Sequence, residues 1–236
     1  MIIDDKTEML FAHAVALAQA GRLKSTIHIS GKRVFILNMD GTILMRLRSS
    51  LVFDEPVSFF ADDYEGREFS VSAGHVVFSR RSGDWEREKK NSVPKITVEE
   101  VEGLWGTYKP DIRSKIIITG EATELLDDGL SHVELSKIKG EPFRLVQRDI
   151  YSGGLVTIRK NEEENLFGSD DDTVFGPIGI RTTDLKALFT FTDALAFYIQ
   201  GEPWLYFEDE RKGGFAGVLS TCVYDELGYT SKSKGE

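Results

Sequence analysis

The chain has 236 residues, of which 41% are hydrophobic and 29% charged, so it can bury a sizeable core, and wholesale disorder is excluded. No apolar run is long enough to span a bilayer, and the single cysteine, Cys222, excludes an internal disulfide framework, so we expect a cytoplasmic protein. The formal net charge of -10 argues against coating of nucleic acid by the whole surface, although one basic face can coexist with an acidic exterior.

The first half of the chain predicts a helix followed by antiparallel strands. Asp5 and Glu8 have the spacing of a capping box, and the alanine-rich segment after them stops at Gly21. Turns are predicted at Gly31-Lys32 and at Asp40-Gly41, between apolar runs. The predicted strands are 25–30, 33–39, 42–53, 57–62, 68–73 and 75–81.

The second half repeats this order after a charged stretch with Gly83 and Pro94 that is typical of a linker. Thr97 and Glu100 form another capping box, which predicts a helix to about Tyr108. Strands are predicted at 114–120, 131–138, 142–149, 154–160 and 178–180, with an acidic interruption at 161–172. A third helix is predicted after Thr182-Thr183-Asp184, and an aromatic hairpin at 200–222 follows it.

The repeated order predicts an α+β fold of two similar domains, with antiparallel sheets and helices on one face. The predicted domains are 1–81 and 96–228, joined by a connector at 82–95 and followed by a flexible tail at 229–236. The alternative is one continuous α+β domain with a long surface loop.

The sequence shows no catalytic signature. There is no P-loop, no GxGxxG after a strand, no GxSxG elbow and no His/Cys spacing for a metal. The acidic runs 162–164 and 170–172 are interpreted as solvated loop rather than a cation site. We therefore predict neither enzymatic activity nor a cofactor or metal. An unrecognised enzyme site using Asp62, Asp63 and His75 is one alternative.

Basic residues flank all three predicted helices. If these helices line one surface, their cations would concentrate positive charge there, although ordinary solvent-facing positions are the simpler interpretation. The candidates are Lys6, Arg22, Lys24, Lys109, Arg113, Lys115, Arg181 and Lys186.

This layout resembles the sliding clamps of DNA polymerases, specifically the two-domain trimeric type of T-even-like bacteriophages and of proliferating cell nuclear antigen. The resemblance rests on the short strand Met1-Ile2-Ile3, the capped first helix, the connector ending at Val93-Pro94 and the closing segment 178–224. One departure is that segment 57–70 is too strand-like for the second helix expected in a clamp domain.

The resemblance implies a homotrimeric ring that encircles duplex DNA without reading its sequence, with the helix cations meeting phosphates. It also implies capture of polymerase and clamp-loader peptides, and host cytoplasm as the location. Edge strands would pair across subunits through Val76, Phe78 and Arg80 on one side and Phe143, Leu145 and Gln147 on the other. Val93, Pro94, Trp204 and Tyr206 are the candidates for the partner pocket. The remaining alternative is a phage structural assembly protein with β-rich edges.

Overall fold

The structure is a computed structural model, which describes residues 5, 9, 11–12, 25–38, 41–64, 68–72, 75–79, 94–108, 115–137, 144–148, 155–158, 167–169, 175–189, 192–199, 204–209 and 215–223. The chain divides into two compact units. The first is Met1–Tyr108 with Gly214–Ala216, and the second is Lys109–Gly213 with Gly217–Glu236. The α+β class, with antiparallel sheets, is confirmed.

The first unit is built on one long antiparallel pair, β1 (Ser25–Asn38) and β2 (Ile43–Phe60). A turn at Gly41 joins them: Gly41 adopts a φ of 66°, and its N–H donates to the Asn38 carbonyl at 2.9 Å, while Asp40 of the predicted turn lies outside the described residues. The buried Asn38 side chain accepts from the Ile43 N–H and donates to the Thr42 hydroxyl, so it closes the turn from inside.

The predicted turn at Gly31-Lys32 is wrong. β1 runs through these residues, and its register against β2 shifts on both sides of Gly31. Gly31 has a φ of 57°, which is the conformation of a β-bulge. The bulge bends the strand without ending it, so a Gly-Lys pair between apolar runs does not distinguish a bulge from a hairpin turn.

The first unit also contains a short hairpin and helical residues on either side of the β1–β2 pair. β3 (Glu68–Ser72) pairs with β4 (His75–Ser79), and a single 3-10 turn, Ala61–Asp63, stands where a second clamp helix would lie. Asp5, Met9, Phe11 and Ala12 of the predicted first helix are helical. The centroid of the Phe11 ring lies 5.6 Å from that of Phe59 and 5.5 Å from that of Tyr64, and both ring pairs are T-shaped. These contacts place Phe11 against the end of β2.

Helix α1 (Val98–Gly106) starts at the predicted capping box. The Glu100 N–H donates to Thr97 Oγ1, and the Thr97 N–H donates to the Glu100 carboxylate at 2.7 Å. The helix packs on β1 and β2 through Trp105, whose ring lies 6.3 Å from that of Phe35. The compact units therefore divide after Tyr108, whereas the sequence assigned this helix to a second domain beginning at residue 96.

The second unit holds two groups of strands. One runs in the order β13-β12-β11-β5-β9 and the other in the order β14-β10-β6-β7-β8. Their bounds are β5 Lys115–Thr119, β6 His132–Lys137, β7 Arg144–Arg148, β8 Leu155–Ile158, β9 Phe167–Ser169, β10 Phe175–Arg181, β11 Ala194–Ile199, β12 Trp204–Asp209, β13 Phe215–Ser220 and β14 Cys222–Val223.

Three features of the second unit differ from the prediction. β9 lies inside the segment predicted as an acidic interruption, and it pairs with β5. A short helix, α2 (Gly120–Glu124), continues directly from β5 and was not predicted. The third helix, α3 (Thr182–Leu188), begins within the residues that were predicted to precede it and ends before β11, which starts at Ala194.

The closing hairpin has the predicted arrangement. Leu205 and Phe207 are fully buried, and the Phe207 ring lies 6.0 Å from that of its cross-strand partner Phe197. A Cβ atom on Gly217 of β13 would overlap this Phe207 ring. The aromatic core of the second unit therefore requires glycine at position 217.

Substituting Gly217 with alanine is expected to lower the free energy of unfolding by about 2 kcal/mol, because the buried Phe207 ring has to leave its position. Gly103→Ala is the matched control: a Cβ there meets nothing within 4 Å, and alanine favours the helix by up to about 1 kcal/mol. Urea unfolding measures both effects. Equal stability of G217A and the wild type would contradict this packing.

Candidate functional site

Two of the predicted DNA-facing cations have described side chains, and both are engaged within the protein. The Arg181 guanidinium forms two hydrogen bonds with Asp184, at 2.8 and 3.1 Å. The Lys186 ammonium donates to the Leu126 carbonyl at 2.7 Å and to Asp128 at 2.5 Å. Both charges are therefore paired with neighbouring groups of the second unit, and their predicted contacts with DNA stay predictions.

The other six candidates stay predictions. Lys6, Arg22, Lys24, Lys109 and Arg113 lie outside the described residues, and only the backbone of Lys115 is described. Helices α1 and α2 are acidic. α1 carries Glu99, Glu100 and Glu102, and α2 carries Glu121 and Glu124, with no lysine or arginine in either helix.

A row of arginines lies instead on the β1–β2 pair, where no candidate was predicted. Arg33 stands opposite Arg48, and Phe35 stands opposite Arg46, so these four positions share one face. The three arginines are exposed while Phe35 is buried. We call Arg33, Arg46 and Arg48 the arginine row.

Helix α1 borders the arginine row. The Arg46 guanidinium lies 4.8 Å from the centre of the Trp105 ring, within the range of a cation–π contact. The Arg33 Nη2 nitrogen lies 3.1 Å from Glu102 Oε1 and forms an ion pair with it. That oxygen has no partner with hydrogen-bond geometry, so the ion pair lacks a hydrogen bond. Among the described residues, none forms an ion pair with Arg48.

The sequence contained part of this signal. Arg46 and Arg48 alternate with Met45 and Leu47 in TILMRLRSS, and alternation of this kind marks one solvent-facing side of a strand. The register that brings Arg33 beside Arg48, and the position of Trp105, depend on pairing and packing between distant segments, and neither was predicted.

The predicted subunit-interface strand at 143–148 is not an edge strand. β7 pairs with β6 on one side and with β8 on the other, and Leu145 and Gln147 are buried inside the protomer. Phe143 lies outside the described residues. The described strands at the two ends of this sheet are β14 and β8, and β8 is the one next to β7.

The other predicted interface strand is β4. The backbone of Val76 and Phe78 belongs to it, and among the described strands β4 is hydrogen-bonded to β3 alone. Their side chains and Arg80 are outside the described part of the chain.

Two of the four residues predicted for the partner pocket are buried. Pro94 is buried and Val93 is not described. Tyr206 is 8% exposed and its ring lies 5.8 Å from that of Tyr198, whose hydroxyl donates to Glu208 at 2.6 Å. Trp204, at the start of the same strand, is half-buried. Of the four candidates, Trp204 offers the most accessible described surface.

A buried polar cluster joins three elements of the second unit. The Gln147 amide accepts from the Asp127 N–H at 2.7 Å and donates to the Asp127 carbonyl at 2.5 Å. The Thr182 hydroxyl donates to the Leu130 carbonyl at 2.6 Å. Burial, and next Arg181, lower the pKa of His132 against the opposing effect of Asp184. Every one of these contacts is internal, so the cluster has a structural role.

The described residues include no group of three or more His, Cys, Asp or Glu side chains placed to hold a metal ion. Within the same part of the chain, none of the helices is both long and apolar enough to cross a membrane. Asp62 and Asp63 belong to the turn after β2, whereas His75 pairs with Ser72 in the separate β3–β4 hairpin, so 59–81 is not a single hairpin.

Together, the two units and their antiparallel sheets define the fold of a sliding clamp. The chain superposes on the DNA polymerase III beta subunit from Thermotoga maritima with a TM-score of 0.60 and 10% identity, over 93% of this chain and 64% of that one. The beta subunit from Borrelia burgdorferi, solved in complex with a natural product, gives 0.57 and 8%, over 90% and 63%.

The sequence-based prediction of a sliding-clamp fold is therefore confirmed. No protein-family model matches the chain, and no curated protein matches it in sequence. The chain spans slightly less than two thirds of the length of these two structural neighbours.

Proposed function

We propose that the protein is a sliding clamp: a ring-forming processivity factor that encircles duplex DNA, tethers a DNA polymerase and its loader, and catalyses no reaction. The observation that carries this proposal is the likeness of at least 90% of the chain to two DNA polymerase III beta subunits.

The proposed ring is a homotrimer of the T-even-like and proliferating cell nuclear antigen type. Three copies of a chain that covers 63–64% of a longer clamp subunit have about the combined length of two longer subunits. A ring of the same circumference therefore needs three of the shorter chains. Head-to-tail contacts with a suitable rotation close into such a ring.

Ring closure would pair the open side of β4 with the open side of β8 in the next protomer. Both strands have unpaired edges among the described residues, and an unpaired edge is a template for a strand of another chain. β8 replaces the predicted strand at 143–148, which is already paired on both sides.

The test combines assembly and crosslinking. We expect a particle of about three times the 26.5 kDa chain mass by light scattering, and rings by electron microscopy. In a Cys222→Ser background, Val77→Cys on β4 together with Thr157→Cys on β8 should give covalent trimers with a short bismaleimide.

Each single cysteine variant is the control, because a head-to-tail contact brings β4 against β8 and not against a second β4. A chain that stays monomeric at tens of micromolar and does not stimulate its polymerase would overturn the proposal. Open tubes that are indifferent to DNA would indicate a structural assembly protein instead.

A further inference from the structure

The arginine row is an arrangement that stability alone does not favour. Like charges directly opposite each other on paired strands are destabilising, and Arg33 stands directly opposite Arg48. The nearby Glu102 compensates Arg33 in part, but no described acid compensates Arg46 or Arg48. The chain has a net charge of -10, so this row is a positively charged patch on an acidic protein.

The contact with Trp105 orients Arg46 and leaves its N–H donors available to an anion. The guanidinium of Arg46 interacts with the indole through its face, and this contact uses none of its five N–H donors. Trp105 is itself fixed against the buried Phe35 ring. A stacked guanidinium therefore keeps its bidentate edge free at a reduced entropic cost of ordering.

The spacing of the row suits a run of anions better than a single one. Arg46 and Arg48 are two residues apart on one strand, which places them about 7 Å from each other on the same face. Arg33 widens the row by one strand. Guanidinium groups bind phosphate oxygens in a bidentate manner, and a nucleic-acid backbone presents phosphates in series.

We propose that the arginine row contacts the phosphate backbone of duplex DNA, and that it does so without base readout. This inference rests on the proposed function, since it identifies which residues of the clamp meet the DNA. It moves the phosphate contacts from the acidic described helices to the strand surface beside α1. The row reads no sequence because phosphate contacts position a protein without specifying bases.

The experiment measures binding of the full-length protein to a short, fluorescently labelled blunt duplex between about 50 and 200 mM salt. Arg46→Ala with Arg48→Ala should weaken binding about tenfold at the low-salt end. It should also reduce the slope of log K against log salt by about 2, because two phosphate contacts are lost.

Two control variants separate charge from folding. Arg46→Lys with Arg48→Lys keeps both charges and should keep the salt slope. Lys95→Ala removes an exposed charge before the start of α1, about one helix length from Trp105, and should leave the slope unchanged.

An unchanged slope in the double alanine variant, or no measurable duplex binding by the wild type, overturns the inference. So does a variant that loses binding to polyglutamate but not to DNA, since the row would then serve an acidic protein segment. The mass of each variant is measured without DNA. Absence of rings from the wild type therefore counts against the clamp proposal, whereas a changed slope still reports the arginine row.

Discussion

Replacing Gln147 with methionine is expected to lower the free energy of unfolding by about 2 kcal/mol. Methionine keeps the length and approximate volume of the side chain but has no amide. The Asp127 N–H and the Asp127 carbonyl would each lose their hydrogen-bond partner on Gln147, which is fully buried. The Asp127 carbonyl keeps its hydrogen bond from the Leu130 N–H, so the loss is that of two partly buried hydrogen bonds, each of which contributes about 0.5–1.5 kcal/mol.

The position of Gln147 explains why its effect reaches beyond one strand. From β7 it holds the turn between α2 and β6, and its amide also lies within 3.4 Å of the Thr182 hydroxyl at the start of α3. The Gln147 side chain therefore links β7 to two segments that are not paired with it as strands, the turn after α2 and the start of α3. Amide hydrogen exchange of Asp127 should accelerate in the variant while exchange in β6 changes much less.

Leu145→Met is the matched control for this substitution. Leu145 is two residues earlier on the same strand and equally buried, and a leucine-to-methionine exchange of similar volume usually costs less than about 1.5 kcal/mol. Urea unfolding of the two variants separates hydrogen bonding from packing. Equal losses in Q147M and L145M would contradict the role given to the amide.

The prediction of Gln147 as an interface residue shows where sequence patterns fail for this fold. Strand 144–148 was predicted because its residues favour a β-strand, and that property is local. Its place between β6 and β8 is set by pairing with residues on both sides in the chain. No local pattern distinguishes a central strand of this length from an edge strand, so this strand was predicted at a sheet edge although it lies between two others.

Helix α1 illustrates the same division between local and distant information. Its first residue was predicted because the Thr97–Glu100 capping box is complete within four residues. Its unit was not, because that depends on Trp105 meeting Phe35, 70 positions earlier in the chain. The clamp fold was therefore recognisable from the order of elements, whereas the arginine row required the register of β1 against β2.

Acidification should destabilise the first unit through His28. This ring is fully buried, and burial lowers its pKa from 6.5 to about 4. Because the Thr26 hydroxyl donates to the Leu37 carbonyl, it accepts from His28 Nε2 at 2.9 Å, and the Ser58 hydroxyl at 2.8 Å is left to donate to Nδ1. The hydrogen-bonding pattern thus assigns a neutral ring with its proton on Nε2.

The sign of the effect follows from proton uptake. Between pH 6.5 and pH 4 the unfolded chain protonates His28 while the folded chain does not, so stability falls as the pH falls through this window. From about pH 7.5 to about pH 4.5, the loss through this group is about 2.5 kcal/mol. His28→Asn keeps a polar side chain but does not titrate, so its stability should fall by that much less than the wild type's. Urea midpoints measured across the range for both proteins give this difference, in which the other titrating groups cancel, and parallel curves would show that His28 is not held neutral by the fold.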